Sequence, residues 1–175
     1  MQLYLVRHTQ VDMPKGICYG HADVGLAGTF PEEVTSVRSQ LQDIVAFDKI
    51  YCSPLKRCIM LAQELADDFI IDERIKEYNF GDWERKEWND IYASDEGKKW
   101  FDNYVNTVCP QGESFRMMLE RVELFIHDLP ADAENILIVT HAGIVRAFFI
   151  VLENYTIGKA FDTPVAYGQV IKIKV

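Results

Sequence analysis

Twice in this 175-residue chain an apolar run ends in a histidine. Leu3–Val6 leads into Arg7-His8, and Ile136–Thr140 leads into His141-Ala142-Gly143. The first run is rich in β-formers and reads as a buried strand. The second is unbroken, the pattern of a strand covered on both faces. Between them, stretches with helical periodicity alternate with shorter strand-like runs, which predicts an α/β fold: a single domain over residues 1–175, with a largely parallel central sheet flanked by helices. In such a sheet, ligands bind beyond the carboxyl ends of the strands. Both histidines stand there.

The remaining elements follow in order. Residues 9–30 show no period, contain Pro14, Gly16, Gly20, Gly25 and Gly28, and read as a long loop of the kind that usually carries function. A helix is expected from Pro31, with Glu32 and Glu33 in its first turn and Val34, Val37, Leu41, Ile44 and Val45 along one face. Asp48–Cys52 reads as a strand. Ser53-Pro54 is expected to start the next helix as N-cap and first residue, with Arg57 in its first turn. Phe69–Ile71 reads as a short strand, 72–82 as loop, and 84–104 as partly helical and rich in aromatics. A helix from about Glu113 to Asp128, a buried helix over Ile144–Leu152 and an edge strand over Val170–Val175 complete the reading.

Composition narrows the function. No apolar run approaches the roughly 20 residues that span a bilayer. The first residues form no basic leader, so a cytoplasmic protein is expected. Cys18, Cys52, Cys58 and Cys109 include no Cys-x-x-Cys pair and are expected to be free thiols. A net charge of −9 opposes binding to nucleic acid, which depends on many cations meeting phosphates. An anionic substrate would therefore need a local positive cluster.

The topology supplies one. Arg7-His8, His141 and Arg57 each follow a strand, so a parallel sheet gathers two arginines, two histidines and helix N-termini at one edge. That is an anion site. Arginine forks suit phosphate or carboxylate. A neutral histidine can attack a phosphoryl group held by them, and the alcohol that departs needs a proton from a nearby acid. His8 and His141 with a carboxylate also have the makings of a metal site, but two adjacent arginines would repel the cation.

Four motifs occur in order: Leu-Val-Arg-His-Thr at 5–9, Ser-Pro-Leu-Lys-Arg at 53–57, Glu-Tyr-Asn-Phe-Gly-Asp-Trp-Glu at 77–84 and Val-Thr-His-Ala-Gly at 139–143. Together they resemble the histidine phosphatase superfamily, its phosphoglycerate mutase-like branch, over most of the chain. The resemblance implies a phosphohistidine on His8, phosphoryl binding by Arg7, Arg57 and a protonated His141, and Glu77 as general acid and then base. It implies a small phosphate monoester as substrate, with no metal or other cofactor. Cys-Tyr-Gly-His-Ala-Asp-Val-Gly-Leu at 18–26 and Phe-Gly-Asp-Trp-Glu at 80–84 are similar to the α-ribazole phosphatases, which remove a 5′-phosphate from a benzimidazole riboside in cobalamin assembly. Thr9, Cys18, Tyr19, Gly20, His21 and Ser114 are candidate substrate contacts, Ser114 with helix capping as its competing role. Thr9 stands where the family usually has glycine, and Arg85 where glycine often follows Trp-Glu. A phosphoglycerate mutase-type or broad sugar-phosphate phosphatase is the alternative enzyme. A phosphate-binding module without turnover is the alternative of another class.

Overall fold

The computed structural model describes residues 1–44 and 46–175. Its sheet has the strand order β3-β2-β4-β1-β5. β1 (Gln2–Arg7), β4 (Asn135–Thr140), β2 (Lys49–Cys52) and the two-residue β3 (Ile70–Ile71) run parallel, and β5 (Val170–Lys174) lies antiparallel to β1 at the edge. The period of two along each strand divides the interior into two cores. Leu3, Leu5, Ile136, Ile138 and Ile173 face one side, under α5 (Phe115–His127), α6 (Ala142–Leu152) and α7 (Ile157–Asp162). Tyr4, Val6, Leu137, Val139 and Cys52 face the other, under α1 (Phe30–Leu41) and α2 (Lys56–Leu65). This is the layered α/β architecture that the alternating elements implied.

Strand order decides what meets at the carboxyl edge. β4 lies between β2 and β1, with Arg7 opposite Thr140 and Cys52 opposite Val139. The residues just past these pairs are His8, His141 and Ser53. The pairing extends past the strand ends: His8 N–H donates to Thr140 C=O at 2.9 Å, and Ser53 N–H to Val139 C=O at 3.0 Å.

Several boundaries differ from the sequence reading. α1 stops at Leu41, and Ile44 reaches the same core from a turn, its N–H bonded to Leu41 C=O. Val45 lies outside the described residues. Ser53 does not cap α2. The helix starts at Lys56 with Leu55 at its N-cap; the Ser53 hydroxyl stands ahead of it, accepting from Leu55 N–H at 3.4 Å and sharing a 2.7 Å hydrogen bond with His141. Residues 72–82 are not all loop: Glu73–Ile75 and Gly81–Trp83 form 3₁₀ turns. The aromatic stretch forms α3 (Trp88–Ala93) and α4 (Asp95–Asp102). The six residues of α7, interrupted by Gly158, are too short for periodicity to reveal. All four cysteines are free and buried. Among the described residues, no helix is long and apolar enough to cross a membrane.

Candidate active site

His8 is 2% exposed, at the end of β1. Its Nδ1 lies 2.7 Å from Thr9 C=O. A carbonyl only accepts, so Nδ1 carries the proton and Nε2 keeps its lone pair. Burial, and then the charges of Arg57 and Arg7, hold the imidazole pKa well below its usual value, so the ring is neutral. His141, the N-cap residue of α6, packs against it with ring centroids 5.2 Å apart. Burial, and then the Arg57 charge, hold its pKa low as well. The protonated His141 expected from the resemblance is therefore not the form in the unliganded site. Its Nε2 is 2.7 Å from Ser53 Oγ, with Cys58 Sγ at 3.4 Å.

Arg57, in the first turn of α2, is 1% exposed. Its guanidinium donates to Ala22 C=O at 3.0 Å and Gly20 C=O at 2.5 Å. Arg7 donates to Val165 C=O at 2.6 Å and lies 3.6 Å over the Tyr167 ring. These contacts orient both guanidinia and leave both Nε atoms buried without an acceptor. The Thr9 hydroxyl is also buried and unpartnered. Buried donors of this kind are normally satisfied. With both guanidinium charges acting on a neutral His8, this edge of the sheet is electropositive and rich in buried donors.

Glu77 is half-buried next to this cluster. Its carboxylate accepts from Tyr78 N–H at 3.0 Å and from Gly143 N–H, in the first turn of α6, at 3.2 Å. Arg121 fixes the backbone behind it, donating to Glu77 C=O at 3.0 Å and Arg74 C=O at 2.6 Å. Arg121 also pairs with Glu113 at 2.7 Å, whose carboxylate holds Asn79 N–H at 2.8 Å. Glu77 borders a cavity of about 400 Å³ whose walls are largely Phe80, Trp100, Phe101, Tyr104, Phe115 and Phe161. Tyr19 and Arg146 border it too.

The other sequence candidates divide. Tyr19 reaches the cavity and shares a 2.8 Å hydrogen bond with Tyr167. Cys18 is 0% exposed and belongs to the core, so it is no open substrate contact. Gly20 is buried with its α-carbon against Tyr78 C=O, and its own carbonyl serves Arg57. Ser114 caps α5, accepting from Met117 N–H, so capping takes the hydroxyl. His21 is half-buried with its Nε2 unpartnered, and burial lowers its pKa. Among the described residues, no three His, Cys, Asp or Glu side chains are grouped to hold a metal ion.

The profile of the histidine phosphatase superfamily, branch 1, matches residues 3–175. The chain belongs to this superfamily. It is accordingly a phosphatase, as several of its relatives are named. The adenosylcobalamin/alpha-ribazole phosphatase of Salmonella typhimurium is 31% identical over 154 residues, covering 83% of this chain and 76% of that protein. A Hydrogenobacter thermophilus protein, provisionally named phosphoserine phosphatase 2, is 34% identical over 162 residues, covering 87% and 79%. The crystal structure of the alpha-ribazole phosphatase from Shigella flexneri superposes with a TM-score of 0.90 at 28% identity, covering all of this chain and 91% of that one.

Within this histidine phosphatase, sequence reasoning missed four supports. Glu84 accepts from the N–H groups of Gly20, His21, Ala22 and Phe80 at 2.8–3.2 Å, and so presents the carbonyls that grip Arg57. Its only signal was its place in Phe-Gly-Asp-Trp-Glu. The Arg121–Glu113 pair and Tyr167 had none, because their roles arise from contacts distant in sequence. Arg146 did have one: it is the sole charge on an otherwise apolar helix.

Proposed function

We propose that the protein is a phosphomonoesterase that works through a phosphohistidine on His8, and that its substrate is α-ribazole 5′-phosphate. The observation that carries this reading is a neutral His8, with its lone pair on Nε2, amid the unpartnered donors of Arg7, Arg57 and Thr9. A phosphoryl group has the oxygens those donors lack.

In the first step Nε2 attacks phosphorus, the P–N bond forms and the P–O bond to the ribose breaks. The departing oxygen takes its proton from Glu77, which stands between the cluster and the aromatic cavity. In the second step Glu77 accepts a proton from water as the water oxygen attacks phosphorus. The P–N bond breaks, and inorganic phosphate and neutral His8 are restored. Arg7 and Arg57 stabilise the charge that spreads over the phosphoryl oxygens. The incoming dianion draws the His141 pKa upward, so protonation of His141 accompanies binding. Every proton and charge is thus handled by side chains of this chain, and no step calls for a metal.

The substrate assignment rests on the Salmonella relative together with the cavity. A recess of about 400 Å³ walled by aromatics suits a flat benzimidazole far better than the small charged alcohol of phosphoserine. The reading places the protein in the cytoplasm, where a phosphorylated intermediate of cobalamin assembly would be found. The test is a rapid quench with labelled substrate. An acid-labile, base-stable label on His8 is expected, together with its loss in His8→Ala and turnover that persists with chelator present. A label elsewhere, or turnover by His8→Ala, overturns the mechanism. Faster hydrolysis of phosphoserine than of α-ribazole phosphate overturns the substrate.

A further inference from the structure

Arg146 has no role in the chemistry above, yet it is half-buried on the wall of the aromatic cavity, one turn beyond Gly143. Its guanidinium lies 5.3 Å over the Phe161 ring. Its Nε is buried without a hydrogen-bond partner, and among the described residues the side chain has neither a hydrogen bond nor an ion pair. A buried donor left unpaired is costly, because it has given up water without gaining a partner. Glu77, the nearby acid, adds favourable charge but no hydrogen bond. Burial makes the cation less comfortable still, pulling its pKa down. The pocket thus has an apolar floor for a flat ring and one directional donor with nothing to meet it.

We propose that the aromatic cavity is the subsite for the alcohol half of the ester, and that Arg146 selects alcohols whose flat aromatic group carries a neutral oxygen or nitrogen acceptor. This rests on the phosphohistidine reading of His8. The phosphate half is held by Arg7 and Arg57 whatever the alcohol, so discrimination has to occur on the far side of Glu77. Among the described residues, only Arg146 offers a free, buried donor there. An apolar ring gains from the walls alone. A ring with a matching acceptor also satisfies Nε. A substrate without an acceptor leaves that donor unpaired, and sites with an unpaired buried group discriminate strongly.

The experiment compares kcat/KM for three substrates with wild type, Arg146→Met and Phe161→Ala. Benzimidazole riboside 5′-phosphate is flat and bears acceptors. 1-Naphthyl phosphate is flat and bears none beyond the ester. Phosphoserine is small and charged. Wild type is expected to prefer both aromatic esters to phosphoserine at least tenfold, and Phe161→Ala to shrink that preference. Arg146→Met is expected to lower the riboside-to-naphthyl ratio about tenfold, mainly through KM. An equal loss on both aromatic esters makes Arg146 a general support and overturns the proposal. A preference for phosphoserine overturns the subsite itself. If naphthyl phosphate is hydrolysed and the riboside is not, the role of Arg146 falls with that substrate while the phosphohistidine reading stands. If none of the three is hydrolysed, the phosphatase reading and this proposal fall together.

Discussion

Gly143→Ala should disable Glu77 without touching it. A Cβ built on Gly143 falls well inside the contact distance of Glu77 Oε1 and 3.2 Å from its Cδ. To restore ordinary van der Waals separation the carboxylate must retreat by about 1 Å. That motion also stretches its 3.2 Å hydrogen bond from Gly143 N–H. A misplacement of this size in a proton-transferring group costs roughly 100-fold in rate, within the 10²–10⁴ that general acid catalysis contributes. The fold should survive: Gly143 has no positive φ, and alanine is favoured over glycine in a helix by about 1 kcal/mol. The diagnostic is the leaving group. An alkyl ester needs the proton from Glu77, whereas p-nitrophenolate departs without it. We expect kcat on the riboside phosphate to fall about 100-fold. The single-turnover burst of p-nitrophenolate should fall only a few-fold, because phosphorylation of His8 no longer depends on the acid. Steady-state turnover of the aryl ester should stay slow, because water attack still requires Glu77 as base. Adding Glu77→Gln to Gly143→Ala should then cost little more than Glu77→Gln alone. Retention of a third or more of kcat on the alkyl ester would refute the reasoning, as would equal loss of the aryl burst.

Further outcomes follow from the supports of the site. In Glu84→Gln either amide orientation turns an NH₂ toward two backbone N–H donors, so chemical denaturation should show a loss of about 3 kcal/mol and competition by inorganic phosphate should weaken as Arg57 loses its carbonyl grips; a loss under 0.5 kcal/mol would contradict this. Thr9→Val removes an unpartnered buried hydroxyl, so the free protein should gain about 1 kcal/mol while phosphate inhibits about tenfold less well; tighter phosphate inhibition would mean that Thr9 crowds the anion. His8 and His141 both have native pKa values held below 6.5, mainly by burial. The unfolded chain therefore binds more protons than the native one below pH 6.5, and stability falls as pH falls from 6.5 toward 5. Urea unfolding across that window should show this decline, and His8→Asn should reduce it.

The cluster proposed to hold the phosphoryl group was legible in the sequence to an unusual degree. Arg7, His8 and His141 stand where apolar strands end, and a parallel sheet brings such ends together on geometric grounds alone. Arg57 was legible as a first-turn residue of the second helix at that same edge, but its burial was not. It is buried because the loop carrying Gly20 and Ala22 folds over it, and Glu84 holds that loop from 62 to 64 residues away. Ser53 shows the same limit. Its local pattern specified a helix cap, yet its hydroxyl lies ahead of the helix, between Leu55 N–H and His141, which comes from 88 residues on.

By itself, then, the sequence determined the alternation of elements and the cluster at the carboxyl edge, since both follow from periodicity and from where strands stop. Tertiary structure alone decided the tautomer of His8, the neutral state of His141, the seat of Glu77 against Gly143 and the aromatic cavity with Arg146 on its wall. Proton positions, pKa values and cavity walls depend on which groups distant in the chain exclude water from one another, and no local pattern encodes that.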